Sequence, residues 1–264
     1  MTTRHKAYIA EFLGTALMVG FGLFAVSVFW SAGSPLAELP LEPGLRRLVT
    51  GFFFAGGATL IIYSPLGQLS GGHINPSVTL GFLSLGKISR TDSAVYILAQ
   101  LAGAIAGVAV LVGVVVGLLG WSDAIAVGAT RPGAGFSVPV VFAAEVLITF
   151  ILMLGILLVS NRHSIARFTP AVAGTIVMTE VWLEAHVSGT SLNAARSLAP
   201  AVFSGVWEHH WIYWTAPIIG AQLAALAYRL APRTAPVLCC KLYHTGKYRC
   251  HHAACMIHAE GEPT

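Results

Sequence analysis

The chain has 264 residues, 56% of them hydrophobic and only 10% charged, with a mean hydropathy of +0.75 and a formal net charge of +4. A soluble domain carries about 25% charged residues, and the apolar stretches here each approach the roughly twenty residues that cross a ~30 Å hydrocarbon core. That excludes a soluble globular protein, and it makes the basic excess a matter of membrane orientation rather than of nucleic-acid binding.

In chain order, residues 1–7 are short and basic and lead into an apolar run to Trp30. The run is longer than the apolar core of a signal peptide and contains Glu11, so it reads as a first transmembrane helix. Six long apolar segments follow one another at about 7–30, 46–66, 92–119, 137–160, 168–187 and 209–230. Two shorter ones, near 69–84 and 188–204, open in Gly/Ser/Asn-rich sequence and are too short to span. Irregular backbone at membrane depth is tolerated only where it is buried in protein or lines a water-filled cavity.

The two halves correspond. Ala10-Glu11-Phe12 with Thr15 returns as Ala144-Glu145-Val146 with Thr149, and Gly72-His73-Ile74-Asn75-Pro76-Ser77 returns as Thr190-Ser191-Leu192-Asn193-Ala194-Ala195. Gln100-Leu101-Ala102 returns as Gln222-Leu223-Ala224. Landmarks recurring in one order define an internal repeat, and three spans per copy require the second copy to be inverted. The predicted fold is an all-α membrane bundle of six spanning helices and two re-entrant half-helices. Residues 1–231 form the channel domain, with repeats at about 7–119 and 137–231, and 232–264 form a tail. With both termini inside, 11 of the 15 Lys and Arg lie on the inner face and Arg46, Arg47, Arg131 and Arg196 on the outer, which orients both termini to the cytoplasm. Small residues such as Gly103 and Gly107 suit close helix crossing.

Gly71-Gly72-His73-Ile74-Asn75-Pro76-Ser77-Val78-Thr79-Leu80 resembles the first Asn-Pro-Ala loop of the aquaporin (major intrinsic protein) family, with Ser in the Ala place. Asn193-Ala194-Ala195-Arg196-Ser197-Leu198-Ala199-Pro200-Ala201 resembles the second, with Ala in the Pro place. The resemblance covers about 7–230. It implies a passive pore in a bilayer for small uncharged solutes, a homotetramer, a plasma (inner) membrane location, and neither cofactor nor catalysis. The motif also has its own physical logic. An Asn caps a half-helix and Pro sits well in its first turn. Two such N-termini meeting at mid-membrane concentrate positive potential, which opposes cations while neutral hydroxylated molecules pass. Ala194 lacks proline's fixed φ but favours helix, so its half-helix should persist.

Arg196 stands inside an apolar stretch, where an arginine is costly and faces a bundle interior or aqueous cavity. The resemblance places it at the outer constriction. Spacing to the family's outer filter gives Ala55, Val181 and Thr190 as its companions. Water-selective members have a Phe/His pair at the first two of these positions, and the small apolar pair here implies a wider filter that suits polyols, urea or metalloid hydroxides such as arsenite. Ser197, Ala201, Tyr213 and Trp214 resemble water channels instead. The combination resembles plant nodulin-like channels and bacterial channels associated with arsenic resistance. The alternatives are an ordinary water channel or glycerol facilitator, and, from another class, a secondary transporter with inverted repeats.

The acids found within the spans are the matching pair Glu11 and Glu145. A proton-relay role fits such residues; the resemblance implies instead that each holds a re-entrant loop, and that role is expected here. His73 suits either a pH-sensitive gate or a loop-organising hydrogen bond, the second being the expectation. The tail holds Cys239, Cys240, Cys250 and Cys255 with His244, His251, His252 and His258. Reduced thiols and imidazoles there could hold a soft metal or trivalent arsenic, through Cys239, Cys240, Cys250, His251, His252 and Cys255; the other reading is a solvated basic tail with incidental Cys and His.

Overall fold

The computed structural model describes residues 2–232, 234–245 and 247–257; His258 lies outside them. Nine α-helices, one π-helical segment, two 3-10 turns and no strand occur among the described residues. The spans are α1 (Thr3–Trp30), α2 (Pro43–Tyr63), α5 (Arg90–Val112, continued by a π-helical turn over Gly113–Leu118), α6 (Val138–Ser160), α7 (Thr169–Glu184) and α9 (Ile212–Leu230). Between them lie the short α3 (Pro65–Ser70) and the half-helices α4 (Pro76–Ser84) and α8 (Ala194–Ser204). Each sequence segment thus has its helix. By length and composition α1, α2, α5 with its extension and α6 can cross a membrane; α7, with 16 residues, and α9, which carries Gln222 and Arg229, complete the six by position.

The bundle shows the repeat in its packing. α1 lies on α5 as α6 lies on α9, and α2 pairs with α7 across the pseudo-symmetric centre. Glycines set how close the first two pairs come. A Cβ on Gly103 would lie 2.2 Å from the Phe12 carbonyl oxygen, and one on Gly107 2.1 Å from that of Ala16. In the second repeat, a Cβ on Gly220 would lie 2.3 Å from the Val146 oxygen. Only backbone-to-backbone packing fits there. Outward positions such as Leu17, Leu60, Leu98, Leu147 and Leu226 are exposed and apolar, as a lipid-facing surface requires.

Among its described residues the tail has no helix or strand, yet these residues are not a solvated extension. Cys239, Cys240 and Leu242 belong to the same apolar core as the helices, and Lys241 is 2% exposed. It folds back across the bundle face where Arg4 of α1 and Asp92 of α5 also meet, at 2.6 Å; below this is called the tail face, and the opposite one the outer face.

Candidate functional site

The two half-helices enter from opposite faces and meet at their N-termini. Asn75 caps α4, its Oδ1 accepting from the Ser77 N–H at 2.8 Å; Asn193 caps α8, its Oδ1 accepting from the Ala195 N–H at 3.0 Å. Their backbones are nearly superimposable, with φ −156° and ψ 119° at Asn75 and φ −155° and ψ 110° at Asn193. Each amide then reaches across the centre: Asn75 Nδ2 donates to the Leu192 carbonyl at 2.9 Å and Asn193 Nδ2 to the Ile74 carbonyl at 2.8 Å. An amide nitrogen carries two hydrogens. One ties the repeats together, and the other remains for a solute in the cavity that both asparagines line. Pro76 and Ala194 occupy the first helical position of α4 and α8, and Ser77 and Ala195 are fully buried behind them. The aligned dipoles place roughly half a positive charge at each N-terminus.

Left-handed backbone at three non-glycine residues forms these loops: Ile74 (φ 43°), Thr190 (φ 50°) and Leu192 (φ 59°). Such conformations persist only where the surroundings over-determine them, and two buried carboxylates do so. Glu11 accepts from the His73 N–H at 3.0 Å, the Ile74 N–H at 2.7 Å and Gln100 Nε2 at 2.7 Å. Glu145 accepts from the Ser191 N–H at 2.7 Å, the Leu192 N–H at 3.0 Å and the Ser188 hydroxyl at 2.5 Å. In both repeats the bonded N–H groups belong to the two residues before the capping asparagine.

On the outer side Arg196 lines both the inner cavity and a larger outer one of about 650 Å³. Its Nη1 donates to the Gly128 carbonyl at 2.7 Å, and its Cζ lies 5.3 Å from the centre of the Phe54 ring. The α5–α6 loop therefore reaches back into the mouth to hold the guanidinium, helped by a Thr130-to-Ser197 hydroxyl bond of 2.8 Å. Val181 and Thr190 line the outer cavity, Ala55 the inner one, and Phe54 both. Thr190 donates its hydroxyl to Glu184 Oε2 at 2.8 Å, which leaves its oxygen as an acceptor.

The sequence reading overlooked Phe54, Gly128 and two acids. Glu180 and Glu184 are 7% and 9% exposed, so Glu11 and Glu145 are not the only carboxylates inside the bundle. Their one-turn spacing on α7 was the available signal. Both Glu180 oxygens are buried without a hydrogen-bond partner, yet neither acid is among the residues lining the two cavities.

On the tail side the inner cavity, of about 80 Å³, is bounded by His73, Ile62, Gly72 and, from the tail, Leu242. His73 is 2% exposed; its Nδ1 lies 3.1 Å from Thr79 Oγ1, and its Nε2 donates to the Cys240 carbonyl at 2.9 Å. A carbonyl only accepts, so Nε2 carries the proton. The tail's metal-binding residue types fall into two groups. Ligand atoms of Cys239, His244 and Cys255 lie within 4.8 Å of one another, and Cys250 Sγ is 3.5 Å from Cys239 Sγ. His251 and His252 turn instead toward Asp92, whose oxygens already accept from Arg4, Tyr8 and Ser89. Burial holds the His252 imidazole down at a pKa of about 4. Cys240 is fully buried.

A family model described as Major intrinsic protein matches residues 1–228. Aquaporin A of Dictyostelium discoideum is 34% identical over 229 residues, covering 85% of this chain and 77% of that protein. Glycerol uptake facilitator protein-like 6 of Lactiplantibacillus plantarum is 35% identical over 234 residues, covering 85% and 97%. Among solved structures, the X-ray structure of the aquaglyceroporin from Plasmodium falciparum superimposes with a TM-score of 0.71 at 23% identity, covering 86% of this chain and 96% of that one. The family match ends before the tail begins.

Proposed function

The chain belongs to the major intrinsic protein family, whose members are membrane channels and not enzymes, and on that premise we propose a passive pore for small hydroxylated neutral solutes: water, glycerol and metalloid hydroxides such as arsenous acid. The solute range rests chiefly on one observation, the make-up of the wall facing Arg196. Ala55, Val181 and Thr190 add one small hydroxyl to two small apolar groups, beside a guanidinium with only Nη1 engaged, by Gly128. Such a wall offers a donor and an acceptor to a hydroxyl and little bulk to exclude a three-carbon polyol. The excess of basic residues on the tail face supports placing it in the cytoplasm.

A second reading, a water-selective pore, has Phe54 in its favour, because the ring lies over the guanidinium and narrows the same level. Stopped-flow light scattering on proteoliposomes separates the two, with arsenite uptake measured on the same preparation. Wide-filter behaviour predicts glycerol and arsenite flux that falls when Val181→Phe is introduced while water flux persists. Rapid water flux with neither larger solute passing would instead favour the Phe54 constriction. The transporter alternative requires a coupling-ion site at the permeation path. Glu11 and Glu145 are committed to loop N–H groups, and Glu180 and Glu184 stand off the cavity walls. Flux linear in solute and indifferent to a proton or sodium gradient is the expected result.

A further inference from the structure

The segment after α9 is packed against the tail face at many points. Leu238 N–H donates to Asn161 Oδ1 at 2.8 Å and Leu242 N–H to the Gly71 carbonyl at 3.0 Å. Lys241 Nζ donates to the Gln68 carbonyl at 2.7 Å and Thr245 Oγ1 to Gln68 Oε1 at 2.8 Å. Tyr243 packs edge-on against Tyr63, ring centres 4.9 Å apart, and Lys87 Nζ donates to the Ala254 carbonyl at 3.2 Å. These contacts reach α2, α3 and the loop after it, the α4–α5 turn and the end of α6, on several sides of the mouth. At their centre Leu242, 3% exposed, forms part of the cavity wall beside His73 and Gly72. An apolar side chain there offers no hydrogen-bonding partner to a permeating hydroxyl.

The coil that carries Leu242 has no helix or strand to hold its shape. A cluster of ligand-type side chains lies directly beside it instead. Cys239 Sγ and Cys250 Sγ are 3.5 Å apart, and Cys239, His244 and Cys255 bring their ligand atoms within 4.8 Å of one another. His244 Nε2 is buried and has no hydrogen-bond partner. Two sulfurs bound to one tetrahedral ion at Zn–S distances of ~2.3 Å stand about 3.8 Å apart, close to the separation observed, whereas a disulfide would bring them to ~2.05 Å. The group of Asp92, His251 and His252 is the weaker candidate, because Arg4, Tyr8 and Ser89 already occupy the Asp92 oxygens.

We propose that Cys239, Cys250, Cys255 and His244 form a tetrahedral site for a thiophilic divalent cation of the zinc class, and that its occupancy staples the tail as a plug holding Leu242 in the tail-side mouth. Residues 239 and 244 flank the plug on its two sides, so binding both to one centre closes a loop around Leu242. Cys250 and Cys255 tie that loop to the remainder of the tail. Loss of the ion returns an irregular coil to its own conformational entropy, and the plug leaves the mouth. The flux half of this inference rests on the pore being a channel; the binding half does not.

The test uses the full chain, reduced and stripped with a chelator, with Zn²⁺ titrated against a chromophoric competitor and Co²⁺ substituted as a spectroscopic probe. One ion per chain is expected, with the visible and sulfur-to-cobalt charge-transfer bands of a tetrahedral thiolate site. Cys250→Ser and His244→Ala should each weaken binding by more than the roughly 10–100-fold that loss of a residue hydrogen-bonded to a ligand costs. In proteoliposomes with zinc on both faces, wild-type water flux should fall several-fold relative to chelated vesicles. Leu242→Ala should bind zinc normally and conduct equally with and without it. Zinc binding unchanged in Cys250→Ser overturns the site, and binding that survives His244→Ala overturns the four-ligand assignment. Stoichiometric binding with flux indifferent to zinc overturns the plug. Absence of flux from every variant, Leu242→Ala included, would count against the channel and leave the site to be judged on binding alone.

Discussion

Replacing Glu145 by Gln keeps the size and shape of the side chain and removes one acceptor and the charge. In the native protein one carboxylate oxygen accepts from the Ser191 N–H and the Ser188 hydroxyl, and the other from the Leu192 N–H. A glutamine can satisfy the first pair with its carbonyl, but its NH₂ then faces the Leu192 N–H, donor against donor. One buried N–H left unpaired costs about 1–3 kcal/mol. The two remaining bonds lose their charge assistance, which roughly doubles the strength of such bonds. The total is about 2–4 kcal/mol, against a folding stability of roughly 5–15 kcal/mol. It falls on a loop whose Thr190 and Leu192 are held at positive φ, so the loss should appear as a displaced Asn193 as well as a lower thermal midpoint in detergent. Glu11→Gln disturbs a mirror arrangement, one N–H on one oxygen and an N–H plus Gln100 on the other. It should cost the same within about 1 kcal/mol, the usual scatter of such hydrogen-bond contributions. Thermal midpoints of both variants, with water permeability of the reconstituted proteins, test this. Unchanged midpoint and unchanged flux in Glu145→Gln would refute the idea that the carboxylates hold the loops.

Gly107→Ala should prevent assembly of α1 on α5, since the added carbon lies 2.1 Å from the Ala16 oxygen, while Gly113→Ala meets nothing within 4 Å and should be silent; yield and monodispersity in detergent distinguish them. Arg196→Ala removes a charge worth about 3 kcal/mol to a cation 5 Å away at an effective dielectric of 20. A sodium leak larger by roughly two orders of magnitude is expected, and its absence would move the cation barrier to the paired half-helix N-termini. Asn193→Asp keeps the cap but replaces a donor to the Ile74 carbonyl with an acceptor, so helix α8 should persist while solute flux falls; normal flux would show that the amide N–H does not serve the solute.

The helices and the repeat were legible because lipid imposes a simple rule: long apolar runs span, and short ones bounded by Gly, Ser and Asn enter and turn back. The carboxylates were legible as well, because Ala10-Glu11-Phe12 with Thr15 returns as Ala144-Glu145-Val146 with Thr149 at the corresponding place of the second repeat. The filter was less so, for a geometric reason. Adjacent positions on a helix point about 100° apart, and counting residues from Asn75 back to Ala55 crosses the break at Ser64-Pro65 between α2 and α3. Spacing therefore cannot fix the rotation of α2, and the structure puts Phe54 over the guanidinium with Ala55 beside it on the wall. Gly128 was beyond reach because the loop that carries it has no periodicity and meets Arg196 only through tertiary folding. In the tail, the types of the ligand-forming residues were readable, but their partition was not: neighbouring Cys250 and His251 end in different clusters because an irregular coil turns between them.

The centre and the ends of the pore follow different logics. At the centre each repeat does to the other what the other does to it, and the reciprocal bonds of Asn75 and Asn193 make neither half free to drift alone. A pore defined only by that symmetry would treat its two mouths alike. Here the mouths differ in kind. The outer one is shaped by a fixed charge, held by a backbone carbonyl in a wide vestibule. The tail-side one is bordered by a leucine on an irregular segment that is hydrogen-bonded to the bundle and stands beside a group of thiols and an imidazole. Selectivity belongs where geometry is rigid, and regulation where a small change in free energy moves a segment between two places. The family match runs through residue 228 and stops short of the segment proposed to plug the tail-side mouth, so control of this channel is to be tested in the tail.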